Sequence, residues 1–144
     1  MPNRTLRQVV EGQTLISAPA DTTVRAAAIT MARHKIGAIL VVDDQGRLAG
    51  LFTERDVLNR VVAQGLDPDS TQLSTVMTAD LQTASPDTPL AHALHMMFEG
   101  GFRHVPVVED GRPVGMVSAR NALGLEIQQF EKELEDRDHI AEIL

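Results

Sequence analysis

Apolar positions along the chain fall into two rhythms, and the same succession of rhythms occurs twice. Val24, Ala27, Ala28 and Met31 recur at the three- and four-residue spacing of one helix face, as do Leu90, Ala93, Leu94 and Met97. Thr22 and Thr88 stand ahead of these stretches as N-caps, and Pro89 suits the first helical position. A short apolar strand precedes each helix, at Thr14–Ser17 and at Gln82–Ala84. A continuous apolar run follows each, Ala38–Val42 or Val105–Val108. A glycine-containing turn then leads to Leu48–Phe52 or Pro113–Val117, which predicts a hairpin in each half. Further helices begin at Thr53 and Ser118. The predicted order is β-α-β-β-α, twice: an α/β fold with two small sheets flanked by helices.

The two halves align residue by residue. Ser17–Val24 reads against Thr83–Leu90 at an offset of 66, which also sets Met31 on Met97 and Ile36 on Phe102. Ile39–Val42 likewise falls on Val105–Val108. The turn Asp43–Gly46 is one residue longer than Glu109–Gly111, so the offset then drops to 65. Gly46-Arg47 meets Gly111-Arg112, Gly50 meets Gly115, and Thr53-Glu-Arg-Asp56 meets Ser118-Ala-Arg-Asn121. A turn is where such a deletion is tolerated. A unit of about 60 residues is too small to bury a good core alone. The two copies are therefore expected to pack on each other around a pseudo-twofold axis. Gln64–Gln72 is turn-rich and reads as the linker, and Leu73–Met77 as a short helix leading into the second copy. The division is 1–66 for the first repeat, 67–125 for linker and second repeat, and 126–144 for a C-terminal helix.

Composition narrows the function. The 144 residues include no Cys, which excludes disulfide scaffolds, thiol catalysis, iron–sulfur clusters and Cys-based zinc sites. No apolar run approaches the ~20 residues of a membrane span, and MPNRTLRQVV lacks the apolar centre of a secretory signal. A soluble, cytoplasmic protein is expected. Net charge is −7, of which residues 126–144 hold −5 (seven acids, two bases). No basic stripe with interleaved aromatics stands anywhere, which disfavours a nucleic-acid partner. No nucleophile–base–acid order and no Walker-type glycine loop is visible, so the chain is not expected to be an enzyme.

The chemistry concentrates where the second hairpin strand runs into the following helix. Thr53 offers a hydroxyl at a helix start, beside free backbone N–H groups that favour an anion. Asp56 lies on the same face of that first turn, and its carboxylate can accept from two vicinal hydroxyls, as a ribose presents them. Arg55 supplies a positive fork suited to phosphate. Thr-x-x-Asp is equally an ordinary capping box with Arg55 in solvent. The same pattern at the same point of both copies favours the site reading.

On these residues the sequence resembles the CBS (cystathionine-β-synthase-type) domain pair. The resemblance runs from about residue 6 to 125. It is carried by the strand–helix openings, Phe102-Arg-His-Val-Pro-Val-Val108, Gly46-Arg47 with Gly111-Arg112, and the Gly-x-x-Ser/Thr-x-x-Asp/Asn strand ends. The small stand-alone bacterial members that end in an acidic helix are closer still. The resemblance implies tandem repeats around a pseudo-twofold axis and an adenosine-nucleotide-binding regulatory module, with pockets between the copies. Carried over, a first pocket combines Gln82, Phe102, Arg103, His104 and Pro106 with Thr53, Arg55 and Asp56. A second combines Ile16, Ile36, Gly37 and Ala38 with Ser118, Arg120 and Asn121. The first is expected to bind more tightly. It keeps the carboxylate, and Arg103 and His104 add charge or donors near the phosphate. Asn121 bonds a hydroxyl but lacks the charged double acceptor, which makes the second weaker. The implied ligand is AMP, ADP or ATP in an energy-sensing role, with NAD and S-adenosylmethionine as further candidates and no metal required. The implied assembly is a homodimer that signals to an effector protein. The alternative is a ligand-free scaffold that keeps the fold.

Other candidates are weaker. His92 and His95 are three apart on a helix, but no further ligand stands at useful spacing, so they read as surface residues like His34 and His139. Met31, Met96 and Met97 read as core filler. Ile127, Phe130, Leu134, Ala141 and Leu144 predict an amphipathic C-terminal helix with an acidic outer face and a role in assembly.

Overall fold

The computed structural model describes residues 4–122 and 132–137, and its two sheets stand where the apolar runs do. In the first repeat, β1 (Ser17–Pro19) pairs parallel with β2 (Ala38–Val42), which pairs antiparallel with β3 (Leu48–Thr53). In the second, β4 (His104–Glu109) and β5 (Arg112–Ser118) form a two-stranded antiparallel sheet. The uneven turn lengths have a backbone cause. Asp110 and Gly111 both take positive φ (54° and 79°), which closes β4–β5 in two residues. The longer turn of the first hairpin uses the Asp43 carboxylate instead, which accepts from the N–H groups of Gln45 and Arg47.

Both opening strands differ from expectation. The first begins at Ser17 rather than Thr14, and the second shrinks to one parallel bridge between Ala84 and Val107. The helices α2 (Val24–His34) and α5 (Leu90–Gly100) follow the apolar spacing. The cap of α2 is Thr23, whose hydroxyl accepts from Ala26 N–H, and not Thr22. Thr22 is engaged elsewhere, since its carbonyl accepts from Leu73 N–H. Pro89 is the capping position of α5 and makes no side-chain cap bond. The helix after β3 starts as α3 (Glu54–Asp56) and widens into a π-helical stretch, Val57–Val62. The helix after β5, α6 (Ala119–Ala122), carries Asn121.

The strand β2 is apolar throughout because both its faces are covered. Ile39 and Val41 face a first core with Val24, Ala27, Met31, Phe52 and Val61. Ala38 and Leu40 face the other way, where with Leu51 they pack against Leu81 and Met116. The second repeat has its own core of Leu90, Ala93, Met97, Val105, Val107 and Val117.

Each core is completed by a short helix that stands before the other's repeat. The helix α1 (Leu6–Val10), held by a Thr5/Gln8 capping box, puts Leu6 and Val10 into the second core. The helix α4 (Leu73–Val76) puts Leu73 and Val76 into the first. The backbone bonds match pair by pair. Leu6 N–H to Thr88 O and Leu90 N–H to Arg4 O (2.9 and 2.8 Å) repeat as Leu73 N–H to Thr22 O and Val24 N–H to Thr71 O (2.9 Å each). The repeats also touch through their hairpins, where Leu48 N–H donates to Gly111 O at 3.0 Å.

Two glycines make the exchange sterically possible. A Cβ at Gly50 would stand 2.6 Å from Met77 Sδ, and one at Gly115 would stand 2.5 Å from Val10 Cβ. Past the glycines the copies diverge. Leu51 and Thr78 exchange two backbone bonds of 2.9 Å. At the matching place the side-chain amide of Gln13 takes the part of a strand, accepting from Met116 N–H (2.7 Å) and donating to Met116 O (2.9 Å).

Residues 132–137 are helical and exposed, Leu134 among them. Ile127, Phe130, His139, Ala141 and Leu144 lie outside the described residues. Among the described residues no helix is long and apolar enough to cross a membrane.

Candidate functional site

Packing two copies face to face leaves two clefts, each walled by the end of one hairpin and the entry segment of the other repeat. The first, of about 420 Å3, gathers Thr53, Arg55 and Asp56 from the first repeat with Gln82, Phe102, Arg103 and His104 from the second. These are seven of the eight residues expected there. The eighth, Pro106, is fully buried in β4 beyond reach of the cleft, so its place in the lining is corrected. It stands two residues on from His104 in the same strand, under the parallel bridge, where its carbonyl accepts from Ala84 N–H.

The geometry around Asp56 joins the capping and site readings. Thr53 N–H donates to Asp56 Oδ2 at 2.9 Å, and Asp56 N–H donates to Thr53 Oγ1 at 3.2 Å. Arg60 Nε stands 3.5 Å from Asp56 Oδ1, and its Nη1 donates to the carbonyls of Val76 and Met77 at 3.2 and 3.0 Å. The carboxylate is thus nearly buried and held by two partners. Two oxygens offer about four acceptor positions, so capacity remains toward the cleft that Asp56 lines. Arg55 reaches across the repeats to Gly101 O at 3.1 Å. Phe102 lies against Gly100, where a Cβ would overlap its ring.

Sequence reasoning missed Asn59, Arg60, Thr78, Asp80 and Leu81, which complete this cleft. Arg60 had a signal, its i+4 spacing from Asp56. Thr78 and Asp80 had none, because they arrive with the exchanged segment after α4.

The second cleft, of about 870 Å3, gathers Ile16, Ile36, Gly37 and Ala38 with Ser118 and Arg120, as expected, and adds Lys35, Gln13 and Met116. The side chain of Asn121 lies outside the described residues. Gly37, Glu54, Arg103 and His104 line both clefts and form the wall between them. A Cβ at Gly37 would stand 3.1 Å from Glu54 Oε1 and 3.7 Å from His104 Cε1, so these side chains pack closely on the glycine.

Burial lowers the pKa of His104 from the ordinary 6.5; Glu54 opposes this, and Arg103 and Arg55 reinforce it. At neutral pH it therefore stands in the wall as a neutral donor or acceptor, not as a cation. The consequence for stability has a definite sign. Below pH 6.5 the unfolded chain takes up a proton that the folded chain resists. Stability is full above that value and is lost as pH falls from it through the folded pKa. Urea midpoints of the wild type should fall more steeply across that window than those of His104→Gln. Parallel slopes would remove His104 as the cause.

Among the described residues no cluster of His, Asp and Glu suits a metal ion. His95 Nε2 instead meets Glu99 Oε1 at 2.9 Å on an exposed helix face, and His34 Nδ1 meets Thr30 O at 2.9 Å.

Comparison with known proteins matches this architecture. A family model described as CBS domain matches residues 7–63 and again 73–126. The chain is 35% identical over 119 residues to the mitochondrial CBS domain-containing protein CBSX3 of Arabidopsis thaliana. That match covers 80% of this chain and 58% of CBSX3. The chain spans 23% of another Arabidopsis relative, CBSCBSPB3. Among solved structures, a putative signal-transduction protein with CBS domains from Burkholderia ambifaria superposes with a TM-score of 0.79 at 29% identity, covering 87% of this chain and 95% of that one. The CBS domain pair of protein MJ0100, solved in complex with 5′-methylthioadenosine and S-adenosyl-L-methionine, superposes with a TM-score of 0.76 at 27% identity, covering 85% and 98%.

Proposed function

This chain belongs to the CBS domain family, and from that premise we propose that it is a non-catalytic regulatory module that binds an adenosine-containing ligand between its repeats. The observation that carries the reading is the first cleft. There a nearly buried carboxylate and a hydroxyl from one repeat face an aromatic ring and an arginine from the other. A ribose supplies two hydroxyls for Asp56, and a flat base suits the side of Phe102. The MJ0100 pair, with its two adenosine ligands, supports the same ligand class here.

A ligand that touches both repeats stabilises the one arrangement in which both walls are in place. In the proposed mechanism occupancy shifts a homodimer toward one geometry, and a separate effector protein reads that geometry. Thr53, Arg55, Asp56, Gln82, Phe102, Arg103 and His104 hold the ligand of the first cleft. Ile16, Ile36, Gly37, Ala38, Ser118, Arg120 and Asn121 form the second site.

The absence of Trp and Tyr gives a direct test, since the protein hardly competes with a purine in the ultraviolet. Freshly purified protein should carry purine absorbance, and acid release with mass spectrometry should identify an adenosine compound. A clean spectrum followed by flat calorimetric titrations with adenosine, AMP, ADP, ATP, NAD and S-adenosylmethionine would replace this reading with the scaffold one.

A further inference from the structure

The two clefts are related by pseudo-symmetry but differ in charge. In the first, Arg55, Arg60 and Arg103 are matched by Glu54, Asp56 and Asp80, for a net charge of zero. Two of those cations are also engaged, Arg60 with Asp56 and two carbonyls and Arg55 with Gly101 O. In the second cleft, Lys35, Arg103 and Arg120 face Glu54 alone, for a net charge of +2. The second cleft is also about twice as large, 870 against 420 Å3.

Lys35 is held there against its backbone preference. It ends α2 in the left-handed conformation, with φ of 54°. That region disfavours a side chain with a Cβ and favours glycine. The matching residue of the second repeat, 66 positions on, is Gly101, with φ of 71°. One copy thus has the unstrained residue and the other has lysine at the same helix end. Local strain kept beside a cleft points to a role for the side chain. Only the second cleft receives that side chain.

We propose that the clefts sort adenosine ligands by charge. The second takes the polyphosphate tail of a nucleoside di- or triphosphate on Lys35, Arg103 and Arg120. The first takes a nucleoside whose tail carries little net charge. This rests on the adenosine-binding reading above and reverses the phosphate preference expected from the family pattern. Its physical basis is that a phosphate chain gains most where cations face it without competing carboxylates.

Lys35→Gly separates the proposed role from a structural one, because it relieves the strained backbone while removing the charge. Calorimetric titration with ATP and with adenosine, at low and at raised salt, is the measurement. The expected result is an ATP affinity at least tenfold weaker in Lys35→Gly and in Arg120→Gln. Adenosine affinity at the first cleft, which neither side chain lines, should be unchanged in both, and the melting temperature of Lys35→Gly equal to or above that of the wild type. Asp80→Asn should do the converse, raising AMP affinity at the first cleft several-fold, a gain that misfolding cannot produce. ATP binding unchanged in both cation variants, with adenosine still bound, would overturn the sorting and leave the nucleoside reading standing. No heat with adenosine, AMP or ATP in the wild type would overturn both.

Discussion

Leu6→Ala is expected to destabilise the protein by about 2–5 kcal/mol, the range for emptying a buried leucine site. Leu6 is 0% exposed and packs in the second core with Leu90, Val105 and Val117. Against a total of roughly 5–15 kcal/mol for an ordinary domain, that loss is a large share. The damage should appear far along the chain from the substitution. Amide hydrogen exchange should quicken first at α5, β4 and β5, while the Val24–His34 helix and β2 keep their protection. Leu73→Ala, at the matching place in the first core, should reverse the pattern. Urea unfolding measures the size and exchange the location. If Leu6→Ala loosened the first repeat before the second, the exchange of helices would not be what holds each core shut.

The second large effect is at Asp56. Asp56→Ala removes a carboxylate that the proposed ribose contact needs, and hydrogen bonds to charged groups contribute about 1.5–3 kcal/mol each. Adenosine affinity should fall by roughly ten- to a hundredfold. The same change also removes the N3 half of the capping box, the bond from Thr53 N–H, while the Thr53 hydroxyl still caps the N–H of residue 56. It leaves Arg60 without its carboxylate as well, so the variant alone confounds binding with folding. Asp56→Asn removes the first of these two confounds, because it keeps the bond to Thr53 N–H, and it shares the loss of the Arg60 ion pair with Asp56→Ala. Its side-chain oxygen still accepts from Thr53 N–H, while its amide group is a donor and cannot accept from a ribose hydroxyl. Asn should therefore restore part of the stability and little of the affinity. Full adenosine binding in Asp56→Asn would remove the ribose role from this residue.

The parts of the fold legible in the sequence are those with a local cause. The Ala38–Val42 run became a strand covered on both faces, and the one-residue step in the repeat offset fell at the Asp110–Gly111 turn. The clustering of Thr53, Arg55 and Asp56 with Gln82, Phe102, Arg103 and His104 followed from the family pattern and the duplication together. The helix α1 carried a readable signal, Thr5-x-x-Gln8, but only five residues, too few to show a periodic face. Its docking on the distant repeat has no local signature, since Leu6 would be equally apolar in either core. Lys35 was invisible as a site residue for a different reason. A lysine after a helix reads as an ordinary C-terminal charge, and only the backbone angle shows that it occupies a glycine position. Pro106 was misplaced because a family motif names a strand without saying which of its residues are sealed.

The crossed helices also set an order of events during synthesis. Everything the first core needs, through Val76 and the Leu51–Thr78 bonds, has been made before any of β4 exists. The reverse is not true, because Leu6 and Val10 are translated early and their partners Val105 and Val117 come 95 to 111 residues later. The first repeat can therefore close while the nascent chain is still growing, and α1 must wait undocked with two apolar side chains exposed. Its docking then closes a loop that spans most of the described chain. The entropy of that closure grows only as the logarithm of loop length, so distance is a small obstacle. The delay is the greater one, because α1 docks only after β4 and β5 have been made.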